Sequence, residues 1–328
     1  MISTAPVSPK RLLADPRAIV VLPLVLFVLL AGFTPAFLTP GNLGNLVIAG
    51  LPLLVLATGQ TVVLIAGGID LSVTAVIGLT SVLGALVMSG DVGWLRGHSG
   101  ATPAALVVML GTGAGVGLLN GTCVAGLRMP PFMVTLTTSL FMGGLAIWLA
   151  QHEVHAESIY HLPAAFLLLG NRPGVATGVA IAAAVAMHLL MTRTLLGRWF
   201  RAVGHNPRTA FISGVPAGGT VVTAYVLSGL MAALTSVLIT ARLETGSPSH
   251  GRTLLLDVIG AAVIGGTSLF GGRGTVPGTA AGVLFLALLS NGLNLLNLSD
   301  FFITMVKGVV ILWAALLDVQ RTRWARAS

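Results

Sequence analysis

The sequence predicts an all-α polytopic integral membrane protein of about ten transmembrane helices, with the N- and C-termini cytoplasmic. Three observations lead there. Of 328 residues, 55% are hydrophobic and only 8% charged, against about 25% charged in a soluble domain. Charge-free runs are long, namely Ala18–Ile69, Thr209–Ala241 and Gly274–Ser299. A bilayer core of about 30 Å needs about 20 apolar residues per helix, so the first run holds two spans. The basic residues also divide unevenly between alternate loops, as they do across a membrane. Nine acidic and seventeen basic side chains cannot cover a water-facing surface of this size. A soluble enzyme and a disordered tail are excluded. The net charge of +8 is spread too thinly for a nucleic-acid patch.

Residues 1–17 form a polar, basic cytoplasmic tail, and the apolar run after it is long enough to be an uncleaved anchor rather than a signal peptide. A transmembrane domain follows over 18–319. Its spans are expected at 18–38, 46–66, 72–90, 103–124, 131–150, 173–192, 217–241, 254–271, 275–295 and 301–319. Thr39-Pro40-Gly41-Asn42 breaks the first two as a turn cluster. Gly67-Gly68, Gly90 to Pro103, Met129-Pro130-Pro131 and Gly271 to Gly274 break later ones. Residues 151–172 read as an outer segment, with Leu162–Leu169 apolar but too short to cross. A cytoplasmic loop occupies 193–216, and 320–328 is a cytoplasmic tail. With the N-terminus inside, Lys10, Arg11, Arg17, Arg128, Arg193, Arg198, Arg201, Arg208, Arg273, Arg321, Arg323 and Arg326 face the cytoplasm. Only Arg96, Arg172, Arg242 and Arg252 face out, and Lys307 falls inside the last span.

Several chemistries find no support in the residues. Cys123 is the single cysteine, so there is no internal disulfide and no cysteine metal site. No Gly-x-x-x-x-Gly-Lys-[Ser/Thr] exists, so the chain builds no P-loop for ATP. His152, His155 and His161 cluster beside Glu153 and Glu157 without ligand spacing, and no metal is expected. Ion-driven carriers keep carboxylates or histidines deep in the membrane. Here Asp70, Asp257, His188 and Lys307 all lie near expected span ends. Gly67-Gly68 and Gly265-Gly266 echo each other near span ends, a weak signal in a chain with 42 glycines.

Three sequence blocks carry a resemblance. The first runs from Gly59-Gln60-Thr61 through Gly67-Gly68-Ile69-Asp70-Leu71-Ser72. The second joins Gly117-Leu118-Leu119-Asn120-Gly121 to Leu127-Arg128-Met129-Pro130-Pro131-Phe132-Met133-Val134-Thr135-Leu136. The third runs from Gly197-Arg198 through Ala202-Val203-Gly204-His205-Asn206 to Ser213-Gly214-Val215, then Ile264 to Leu269 and Gly271 to Thr275. In that order they resemble the permease subunits of bacterial ABC importers for monosaccharides, the ribose, xylose, galactose and autoinducer-2 group. The likeness covers about 43–320. Two departures stand out: Leu255 where the family usually has an acidic residue, and Thr74 where it usually has glycine.

The resemblance implies a translocation pathway in the bacterial inner membrane, formed with a second permease subunit, identical or related. It implies a cytoplasmic ATP-binding subunit that consumes the ATP, so that this chain is no enzyme and binds no cofactor. It also implies a periplasmic or lipid-anchored sugar-binding protein that delivers a monosaccharide or sugar-like solute. Lipid surrounds the assembly, and nucleic acid has no place in it. An ion-coupled secondary transporter of a small polar solute is the alternative, and an intramembrane enzyme lacks any catalytic group.

Two residue sets are candidates. Asp70 and Ser72 either cap the third span or contact solute. Gln60, Asn120, Asn291 and Asn294 either bond neighbouring helices or line the sugar path, since neutral amides meet hydroxyls without trapping charge. In the cytoplasmic loop the resemblance places a short helix that docks into the ATPase. Gly204, His205, Asn206, Phe211 and Gly214 are its candidate residues. Asn206 reads as N-cap, Pro207 as the first helical residue and Gly214 as the stop, giving a helix over 207–213.

Overall fold

A computed structural model describes residues 18–327, with side chains over 21–320. The expected tail 1–17 lies outside the described residues. The chain is helical throughout. α1 spans Ala18–Phe33, α2 Pro40–Ile65, α3 Val73–Met88, α4 Ala101–Ala125 and α5 Pro131–Val154. α6 spans Ala164–Asn171, α7 Pro173–Arg193, α8 Leu195–His205, α9 Pro207–Ile212 and α10 Ala217–Leu243. α11 spans Leu254–Ile264, α12 Val276–Leu295 and α13 Asp300–Ala327.

The expectation of ten full spans needs correction. Among the described residues, seven helices are long and apolar enough to cross: α2, α4, α5, α7, α10, α12 and α13. The other three expected spans are helices of 16, 16 and 11 residues, α1, α3 and α11. At 1.5 Å per residue, α11 rises about 16 Å and cannot cross alone. Apolar composition marks both full and partial spans, so the sequence alone does not separate them. Three smaller differences follow. Thr39-Pro40 is a helix start rather than a turn, with the Thr39 hydroxyl accepting from Asn42 N–H at 3.4 Å. The interval 151–172 contains the end of α5 and all of α6. α13 continues through the expected C-terminal tail to Ala327.

α2 is the central element, and every residue from Leu51 to Ile65 except half-buried Leu54 is buried. Its companion is α10, which packs closely on α4. Gly113, Gly117 and Gly121 recur every four residues on α4 and meet the α10 backbone at Gly229, Tyr225 and Val222. A Cβ at any of these positions would collide, so small residues set the helix separation, as in membrane bundles generally.

α2 and α11 end alike. Ala66 N–H donates to the Val62 carbonyl, Gly67 to Leu64 and Gly68 to Val63, each at 2.9 Å. Gly265, Gly266 and Thr267 repeat this with Ala261, Val263 and Ala262, also at 2.9 Å. Gly67 and Gly266 have φ of +84° and +80°, the left-handed stop that glycine adopts without strain. The Gly-Gly echo is therefore a repeated helix stop.

Candidate functional site

After its stop at Gly67, the chain turns back along α2 before α3 begins. The returning segment is extended and irregular. Its backbone is hydrogen-bonded by side chains, which is how such backbone is accommodated inside a membrane. With the Gln60 amide oriented to satisfy both partners, its nitrogen donates to the Asp70 carbonyl at 3.1 Å and its oxygen accepts from Asp70 N–H at 3.2 Å. The Tyr225 hydroxyl donates to the Ile69 carbonyl at 3.1 Å.

Asp70 is 1% exposed. Its carboxylate accepts from Ser72 N–H at 3.0 Å, the Ser72 hydroxyl at 2.6 Å and the Ser228 hydroxyl at 2.9 Å. Asn120 donates to the Ser72 hydroxyl at 2.8 Å, and Thr138 donates to the Asn120 oxygen at 2.7 Å. Five helices, α2, α3, α4, α5 and α10, thus meet around one carboxylate. Asp70 braces the turn into α3, although the start of that helix, with Ser72 as N-cap, carries no side-chain cap hydrogen bond. Gln60, Ser72 and Asn120 join it in one closed network. Sequence reasoning missed Ser228, Thr138 and Tyr225, because a lone hydroxyl in an apolar span carries no pattern.

Asn291 and Asn294 lie elsewhere, on the outer part of α12. Asn291 and Asn42 form a reciprocal amide pair, at 2.7 and 3.0 Å, which joins α12 to the start of α2. Both asparagines of α12 line a cleft of about 260 Å³, with Asn45, Arg242, Asp257 and Lys307. Asn291 thus makes an interhelical bond and also borders the cleft. Lys307 donates to Asp257 at 2.8 Å across the cleft wall.

Between α7 and α9, α8 is an amphipathic helix that the sequence reading overlooked. Gly197, Phe200 and Val203 are its buried face, an every-third-residue spacing visible in the sequence. Arg201 donates to the last carbonyls around α7, Met191 at 2.9 Å, where a cation suits the helix end. Gly204 and His205 are the last residues of α8, just before the short helix. α9 itself follows the expected design over one residue less. The Asn206 side chain accepts from Arg208 and Thr209 N–H, both at 3.0 Å. Gly214 follows the helix at φ +81°. Phe211 is 72% and Ile212 79% exposed.

Gly204 roots this unit. A Cβ on it would strike the Ile65 carbonyl oxygen and come within 2.7 Å of Gly272 nitrogen. Gly272 N–H itself donates to the Ile65 carbonyl at 2.9 Å. Asp318 of α13 accepts from Leu269 N–H at 3.1 Å and Ser268 hydroxyl at 3.2 Å. The end of α8, the stop of α2, the α11–α12 loop and α13 therefore form one glycine-lined junction.

The histidine cluster disperses: His152 stacks on Trp148 and His161 bonds Asp91 at 2.5 Å.

Comparison with known proteins gives one family. The family described as the permease component of the branched-chain amino acid transport system matches residues 42–315. The ribose import permease of Bacillus subtilis (strain 168) is 36% identical over 311 residues, covering 91% of each chain. The ribose import permease of Escherichia coli (strain K12) is 34% identical, covering 94% of this chain and 95% of the relative. The fructose import permease of Rhizobium meliloti is 33% identical, covering 95% and 86%. No solved structure matches. Nothing among these relatives favours an ion-coupled carrier. Matched from α2 into α13, with its sequence blocks at the helix stops and at the glycine junction, the chain belongs to this family of multi-pass membrane permease components.

Proposed function

We propose that this chain is the passive, membrane-spanning subunit of an ATP-driven importer for a monosaccharide or sugar-like solute. It pairs with a second permease subunit, receives solute from an extracytoplasmic binding protein and is driven by a cytoplasmic ATPase. The family description names amino acids, but relatives that cover most of the chain are named for sugars, and they support the sugar class. The observation that carries the ATP-driven reading is α9. A six-residue helix outside the spans holds Phe211 and Ile212 exposed on a rigid glycine footing. Large apolar side chains so presented are interface anchors in need of a partner pocket. Displacement of α9 by an ATPase would reach the ends of α2 and α8 and the α11–α12 loop through the junction.

The pathway reading favours the outer cleft of Asn291 and Asn294 over the closed Asp70 network, which offers a solute no free polar atom. The test is Phe211→Ala and Gly214→Val in the complete importer. Both should reach the membrane at wild-type abundance, because neither residue lies in a span. Phe211→Ala should weaken ATPase association by about 30-fold, the effect of losing a ~2 kcal/mol anchor. Gly214→Val should uncouple hydrolysis from uptake, since the helix stop needs a positive φ. Normal transport by both variants would overturn the coupling role. Ion-gradient-driven uptake by the chain alone in liposomes would overturn the importer reading.

A further inference from the structure

The only ion pair between membrane helices among the described residues is Lys307 on α13 with Asp257 on α11. Lys307 lies about 10 Å along α13 from its start at Asp300, farther from that end than the span-end position expected from the sequence. Charges at such depth are costly and mark solute or ion paths. The pair is not the sole contact between the two helices. One turn deeper, Ile311 of α13 packs against Gly260 of α11, so closely that a Cβ on Gly260 would strike it. The pair is also not sealed. The two side chains keep 18% and 13% of their surface exposed.

That exposure opens on two clefts. One is the 260 Å³ cleft of Asn291 and Asn294. The other, about 420 Å³, lies beside Thr253, Leu256 and Thr304. Each far exceeds the ~30 Å³ share of one water. Their linings have only Asp257 and Lys307 in common. The ion pair borders both clefts.

We propose that Asp257 and Lys307 form a polar contact site for a neutral polyhydroxy solute, which passes between the clefts by taking over their mutual hydrogen bond. The inference rests on the reading of the chain as a sugar conduit. Both partners have spare capacity: the ammonium has three donors and the carboxylate two acceptor oxygens. Vicinal hydroxyls match that set. One O–H donates to the carboxylate while the neighbouring oxygen accepts from the ammonium. The pair is neutral as a unit, so a neutral solute crosses without moving charge. Asn45, Asn291, Ser290 and Thr304 supply further hydroxyl-compatible groups on either side.

The test uses the complete importer in proteoliposomes with its binding protein and a panel of radiolabelled pentoses and hexoses that includes epimers. Asp257→Leu/Lys307→Met keeps helix contact and removes every hydrogen bond of the pair. Asp257→Lys/Lys307→Asp keeps the pair and exchanges donor with acceptor. The apolar variant should lose at least tenfold in uptake per transporter while ATP hydrolysis continues. The swapped variant should alter the ratio of rates between epimers, a readout that a structural bridge would leave unmoved. Wild-type uptake per transporter in the apolar variant, or a wild-type rate and epimer ratio in the swapped one, overturns the site. Failure of both variants to accumulate makes the pair a structural element and overturns it as well. A wild-type complex that imports no sugar of the panel sinks the sugar reading and this site together. Wild-type import with unaffected variants sinks the site alone.

Discussion

Asp70 shows how one buried side chain can join a network that reaches five helices: its carboxylate bonds Ser72 and Ser228, and Asn120 and Thr138 follow through Ser72. Removing its carboxylate leaves the Ser72 and Ser228 hydroxyls and the Ser72 N–H without an acceptor, at about 1–3 kcal/mol for each buried unsatisfied group. Asp70→Ala should therefore lower the melting temperature of the detergent-purified protein sharply. Asp70→Asn should be mild, because the amide keeps an acceptor, the serine hydroxyls can rotate, and a neutral group is cheaper to bury. Equal losses for both would mean that the charge itself is required. His250, in the outer loop between α10 and α11, offers a second residue-scale test. Its Nδ1 lies 3.1 Å from the Ser81 hydroxyl, and burial pushes the imidazole below its ordinary value of 6.5. The folded protein thus resists a proton that the unfolded chain accepts. Stability should be flat above about pH 6.5 and fall as the pH drops from there toward the lowered folded value. In His250→Gln this part of the slope in a melting-temperature series should vanish.

Among the elements, α8 and α9 differ in what they present although they lie in one loop. α9 presents apolar side chains, and α8 anchors the unit on the bundle through Gly204. Gly204→Ala places a methyl against the Ile65 carbonyl and disturbs the Gly272-to-Ile65 hydrogen bond. Overpacking of this kind costs about 1–3 kcal/mol. The variant should still bind the ATPase through intact α9, yet hydrolyse ATP without proportionate uptake. Coupled transport at the wild-type ratio would show that the junction does not carry the motion. This outcome differs from that of Phe211→Ala, which attacks binding, so the two variants locate anchoring and transmission on different helices.

At the scale of the whole molecule, among the described residues, the short apolar helices α1, α3 and α11 sit among seven long ones. α3 starts late because residues 68–72 return beside α2, and α11 stops early at the Gly265-Gly266 repeat of the same cap. Non-helical backbone is thereby placed at both stops, against the central helix α2 and against the α8 footing. The charge distribution gives this arrangement an expected orientation: reporter fusions at the C-terminus should read cytoplasmic and those within Leu243–Gly251 external. An external C-terminus would mean that one of the short helices does not return the chain to the side expected. Purified alone, the chain should hydrolyse no ATP above background, and robust turnover from a clean preparation would refute its passive role.

Composition and charge alone determined the membrane class, the expected sidedness and the helical content, because a bilayer demands long apolar helices and biases Lys and Arg to one face. Local rules also sufficed for α9, since Asn206, Pro207 and Gly214 each act on backbone within a few residues. The Gly-Gly stops were visible as an echo whose meaning required the hydrogen bonds. Span lengths were not legible, because hydropathy does not register where an apolar chain leaves the helix and runs back beside itself. The partners of Asp70 come from segments up to 158 residues away, and the Lys307 partner is 50 residues away. Only the tertiary structure brings them together. The same holds for Gly204, where no sequence rule reveals that Ile65 and Gly272 leave no room for a Cβ: close approach is a property of two packed backbones, while a sequence describes one.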